Sequence, residues 1–92
     1  MIELVYYSLA SENLSSEDVS AMLKNSRKFN SKNNITGCLL YHNSEFLQIL
    51  EGEKKVVLDL FDVIKKDKRH SNVFVLGEDK KSERMFSDWH MA

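Results

Sequence analysis

Cysteine is almost missing from this chain: Cys38 is the only one, so no internal disulfide can form. Glycine is scarce too, and three residues are too few to build a glycine-rich phosphate loop. Neither sign of charge dominates. Thirteen basic and 14 acidic side chains leave a formal charge of −1, which provides no net field to draw in nucleic acid or an anionic membrane. No stretch approaches the roughly 18 apolar residues of a membrane span. Met1 is not followed by the charged and apolar regions of a secretory signal. A soluble, cytoplasmic chain is the expectation. Cys38, His42, His70 and His90 show no metal-ligand spacing, and no serine sits in a nucleophile elbow, so neither a metal centre nor an enzyme is expected.

What is present fits one domain. Ninety-two residues lie near the lower end of what folds alone, and a bound ligand would add stability. Ile2 to Tyr7 is β-branched and aromatic and runs into a Ser/Asn-rich loop, which predicts a strand with Ile2, Leu4, Tyr6 and Ser8 on one face. Ser15 and Asp18 form a candidate capping box, with Leu14 and Val19 as a staple, and open a helix to about Asn30. Its inner stripe holds Val19, Met22, Leu23, Ser26 and Asn30. Ile35–Tyr41 and Glu45–Leu50 read as a hairpin. Val56, Val57, Leu60, Phe61 and Ile64 mark a second, strongly amphipathic helix over 53–66. Val73–Leu76 and Met85–Met91 supply two last strands joined by a polar connection over 77–83. The order β-α-β-β-α-β-β predicts a ferredoxin-like α+β fold, a mixed five-stranded sheet with two helices on one face.

Some side chains exceed what such a fold needs. Alternation places Phe46, Gln48 and Leu50 together, so Gln48 is an amide between two large apolar neighbours. Left unpaired there, it would cost about 1–3 kcal/mol. Either backbone caps it, or its donors and acceptor address a buried heterocycle. Tyr6 points to the same layer, and Ser26 and Asn30 bring a hydroxyl and an amide from the first helix. Each alone reads as an ordinary satisfied core or cap residue. Together, within a shell of Met22, Phe46, Leu50 and Ile64, they suggest a pocket for a flat ligand with polar edges. Near the second helix end, Arg69 is the residue expected to turn inward.

Leu4-Val5-Tyr6 with Ser8, Ser26-Arg27 with Asn30, Ile35-Thr36-Gly37 with Leu39-Leu40-Tyr41, Phe46 through Gly52, Asp67 with Arg69-His70, and Arg84 with Phe86, Trp89 and Met91 follow one another across nearly the whole chain. In that order they resemble the BLUF domains, blue-light sensors that use flavin. The resemblance implies a noncovalent flavin, usually FAD with FMN or riboflavin as alternatives, lying between the two helices. It implies that Tyr6 donates an electron and a proton, and that Gln48 bridges the phenol to the flavin edge. Asn30, with Arg69 and His70, is similar to the family's contacts at the ring's other polar edge. Ser26, Trp89 and Met91 resemble residues whose contact with Gln48 changes between dark and signalling states. Phe29 departs from the family, where a polar residue commonly precedes the asparagine. Family members usually continue into helices or an effector domain, so residues 1–92 are expected to be an input domain truncated before them. The outer sheet face with Val5 and Tyr7 would then meet a second copy or an effector protein.

Three other readings compete. A ferredoxin-like module that binds a metabolite or a partner protein would be colourless and indifferent to Gln48→Leu. An RNA-binding domain would need exposed aromatics on its central strands and a basic surface. An acylphosphatase-like enzyme would need an anion-cradling loop with an arginine after the first strand, and none is there.

Overall fold

The computed structural model describes residues 1–91, the last of them, Met91, without its side chain. Burial with a period of two sets the faces of the domain from its first strand. In β1 (Ile2–Ala10), Ile2, Leu4, Tyr6 and Ser8 are buried and the residues between them half-buried, as one core-facing side requires. α1 (Ser16–Lys32) begins at the Ser15 cap, whose hydroxyl accepts from Asp18 N while the Asp18 carboxylate accepts from Ser15 N, each at 3.1 Å. It ends two residues beyond the expected Asn30, at the Asn33 cap, with Asn34 left-handed at φ 56°.

β2 (Thr36–His42) and β3 (Glu45–Gly52) are joined by Asn43 and Ser44, both at positive φ, 50° and 63°. A primed two-residue turn of this kind matches the twist of a hairpin and fixes its register, Leu39 opposite Gln48. α2 (Lys54–Lys66) buries Val57 and Phe61 and places Lys65 and Lys66 at its C-terminal end, where the helix dipole favours cations. The sheet is completed by β4 (His70–Lys80) and β5 (Trp89–Met91) in the order β4-β1-β3-β2-β5. All neighbours are antiparallel except β2 and β5. Residues of both helices join the inward side chains of the sheet in one core. This is the ferredoxin-like arrangement that the element order predicts.

Several strand ends differ from the sequence reading: β1 runs on to Ala10 where a loop was expected after Tyr7, and β2 and β3 are displaced by one or two residues. β4 extends beyond Val73–Leu76 at both ends, and Gly77 to Lys80, expected as connection, pair with Val5 to Ile2. Their pairing is to backbone at a sheet edge, so it needs no apolar pattern. Conversely, Met85 to Asp88 form no strand, and β5 is three residues long. No helix among the described residues is long and apolar enough to cross a membrane.

Candidate functional site

The first strand and the third deliver Tyr6 and Gln48 to the same point from neighbouring positions, as register partners in the β1–β3 ladder. Both are buried, and Gln48 Nε2 donates to Tyr6 Oη in a short hydrogen bond. On its other side, Gln48 Oε1 accepts from Trp89 Nε1 at 3.0 Å. An indole N–H can only donate, so Trp89 fixes which end of the amide faces it. Nε2 must therefore face the phenol, whose own hydrogen is left to point elsewhere. Burial pushes the Tyr6 phenol well above its usual range, partly countered by the Gln48 bond and reinforced by the Asp67 charge. The phenol is neutral at ordinary pH. Tyr7, one residue along, projects from the outer face and donates to Glu45 at 2.7 Å.

Above this chain of side chains lies a cavity of about 560 Å³ between α1, α2 and the sheet. Tyr6, Phe46 and Gln48 line it from the strands, Met22, Ser26 and Asn30 from α1, Ile64 from α2, Arg69 from the turn that follows and His70 from the start of β4. Nearly all of the residues singled out from sequence thus meet on one wall system. Asn30 is 2% exposed, lines the cavity and makes no side-chain hydrogen bond among the described residues, so its amide is available to a ligand there. Ser26 lines the cavity from one turn away and is not a hydrogen-bond partner of Gln48 among the described residues.

Four expectations need qualification. Leu50 is not on the cavity wall: it pairs with Leu4 and Gly37 further along the strand and sits in the core. Leu39, opposite Gln48, takes the wall position instead. Arg69 reaches the cavity, but its guanidinium is held by Asp67, whose carboxyl it keeps below the usual carboxylate range. His70 presents its ring, since Nε2 donates to the Ile64 carbonyl and Nδ1 bonds Ser8 Oγ at 2.8 Å. Met91 lies beside Leu39 in the β2–β5 ladder, and what its side chain meets lies outside the described residues. Val56, Leu60 and Val63 also line the cavity and were missed, although their helical spacing beside Ile64 was a usable signal.

Carbon-lined walls, an amide at one edge and a phenol–amide–indole chain at the base form a binding module suited to a flat ligand with polar edges. The residues fit an isoalloxazine ring, which has apolar faces and hydrogen-bonding edges, and the cavity has the size of a small-molecule site. Comparison with known proteins agrees. The sequence profile of BLUF, "Sensors of blue-light using FAD", matches residues 1–92. The photoactivated adenylate cyclase subunit beta of Euglena gracilis is 37% identical over 90 residues, covering 97% of this chain and 10% of that protein. A bacterial light-regulated adenylyl cyclase superposes with a TM-score of 0.93 at 41% identity, covering 99% of this chain and 28% of that one. BlsA in its photoactivated state gives 0.91 at 38% identity, covering 98% and 66%. The chain belongs to the BLUF family of flavin-based blue-light sensors, and it spans about 10% of the length of the curated cyclase it matches.

Proposed function

We propose that this domain stores a blue-light signal as the orientation of the Gln48 amide, with Tyr6 as electron and proton donor and Trp89 as the group that reads the outcome. The observation that carries this is the continuous Tyr6–Gln48–Trp89 hydrogen-bonded chain beneath the cavity. When bound and excited by blue light, a flavin is a strong oxidant. Tyr6 is buried, neutral and bonded to the amide, so it would give up an electron and then its hydroxyl proton, both to the flavin. After electron and proton return, Tyr6 has its original covalent state, and what can persist is a Gln48 amide that has rotated or tautomerised. Reversal turns Oε1 toward the Tyr6 hydroxyl, which can then donate to it. It also turns Nε2 toward the indole N–H, donor against donor, so Trp89 must leave. One amide therefore couples the cavity to β5, which makes the domain a bistable switch.

Asn30 is the residue we assign to the ring's second polar edge, because its amide lines the cavity and makes no hydrogen bond among the described residues. Arg69 and the His70 ring, which line the same cavity, are assigned to the ligand as well, with Arg69 oriented by its bonds to Asp67. FAD is the flavin we assign, and FMN or riboflavin, which share the ring, would be identified by extraction and chromatography. The domain performs no enzymatic step in this reading. Its output passes to an effector protein or to a second copy through the outer sheet face, where Val5, Tyr7, Leu47 and Ile49 are half-buried and Leu40 and Phe74 exposed. Residues 1–92 act as the input unit, in a cytoplasmic setting. That relatives built on the same domain are light-regulated cyclases several times longer supports an effector partner.

Blue illumination of the flavin-loaded protein should give a small, reversible red shift of the flavin band, and Tyr6→Phe should abolish it. A normal photocycle in Tyr6→Phe would remove Tyr6 from the donor role. A colourless protein that takes up no added flavin would favour the metabolite-binding alternative.

A further inference from the structure

Three residues after Gln48 on the same strand, Glu51 points to the opposite sheet face and is 0% exposed. A buried carboxylate must be fully satisfied to persist there. Glu51 is: Oε1 accepts from Thr36 Oγ1 at 2.8 Å and Phe86 N at 3.1 Å, and Oε2 from Met85 N at 2.7 Å and from Lys81 Nζ. Lys81 is shared with Glu3 at 3.0 Å, and Arg84 donates to Thr36 Oγ1 at 2.8 Å and to the Glu51 carbonyl at 3.2 Å. Residues 81–88 have no regular structure, and Met85 is 72% exposed, so apolar burial does not place its backbone.

Just beyond this segment comes β5, which pairs with β2 through three residue pairs. Its first residue, Trp89, is 1% exposed and reaches Gln48 on the inner face. β3 thus holds one short segment from both sides, by Gln48 on the inner face and by Glu51 on the outer. We propose that Glu51 is a positioning residue for the switch, the fixed anchor that clamps the Met85–Phe86 backbone, sets the Trp89 indole against Gln48 and confines light-driven movement to residues after Phe86. The proposal rests on the reading of Trp89 as reporter, but the placement of the indole in the dark can be measured without any photochemistry.

Trp89 is the one tryptophan of the chain, so its fluorescence is a site-specific probe. In the flavin-loaded protein kept dark, Glu51→Gln should raise the acrylamide quenching constant of Trp89 severalfold, with flavin affinity held within about twofold. Thr36→Val and Arg84→Met, which each remove part of the clamp at less risk to folding, should give smaller rises in the same direction. Quenching unchanged in Thr36→Val and Arg84→Met would overturn the proposal, whether or not Glu51→Gln folds. A rise accompanied by loss of flavin affinity would overturn it too, because the whole domain would then have loosened. Absence of a light response in the parent protein would refute the photoreceptor reading while leaving this comparison intact.

Discussion

Replacing Gln48 by leucine tests the relay at its centre. The two side chains have similar volume, so little cavity is opened and the cost falls on hydrogen bonding. The Trp89 N–H loses its acceptor in a site where the indole is almost wholly buried, and Tyr6 Oη loses a donor. Leaving one buried donor unpaired costs about 1–3 kcal/mol, equivalent to a fall in Tm of roughly 5–20 °C for a domain of this size. The assay is a thermal melt of the flavin-loaded protein in the dark, paired with difference spectra before and after blue light. The expected outcome is a destabilised protein that keeps its flavin and shows no red shift. Tyr6 and the cavity walls stay in place, so loss of flavin is not expected. A variant with the parent's reversible red shift would refute the amide's role as the stored signal. One with the parent's Tm would refute the claim that both ends of the amide are engaged.

The remaining predictions use other parts of the fold. Gly37 sits at φ 149°, and a Cβ there would lie 1.8 Å from the Ile49 carbonyl oxygen, so Gly37→Ala should lower stability by about 2–4 kcal/mol in urea unfolding. Burial would raise the Glu51 carboxyl, but Lys81, the Met85 and Phe86 amides and Thr36 outweigh it and hold the group at about 2 instead of its ordinary 4.5. Because the folded value is the lower one, its contribution is complete above pH 4.5 and is lost as pH falls toward 2. Urea melts across that window should show a loss on the order of 3 kcal/mol from this group, reduced in Glu51→Gln. Asn30→Leu removes an amide that makes no hydrogen bond among the described residues, so it should leave Tm of the flavin-free domain nearly unchanged while weakening flavin binding about tenfold by equilibrium titration.

Much of the site was legible because it follows strand alternation. Tyr6 and Gln48 each lie among apolar neighbours at period two, so their sharing of a face could be read without knowing that the strands are adjacent. The stripe of Met22, Ser26 and Asn30 followed from helical spacing in the same way. Leu50 shows the limit: it shares the correct face but stands too far along the strand to reach the cavity, and position along a face depends on register. Arg69 was expected to address a ligand, yet Asp67, two residues away, takes its fork. The extra length of β4 escaped notice because an edge strand needs a paired backbone on one side and no apolar rhythm.

Local order was therefore contained in the chain itself: the capped first helix, the amphipathic second one, the two-residue hairpin turn and the faces of the central strands, all governed by contacts within a few residues. Tertiary structure alone decided that Glu51 binds the backbone of Met85 and Phe86, while the return of Trp89 to Gln48 from the far sheet edge was implied by the family resemblance and by no pattern within the chain. Those partners are separated by 34, 35 and 41 positions. No periodicity links side chains so distant along the chain. Only the closing of the sheet brings a buried carboxylate and a buried amide to opposite sides of the same strand, where each must find its hydrogen-bond partners or pay for burial.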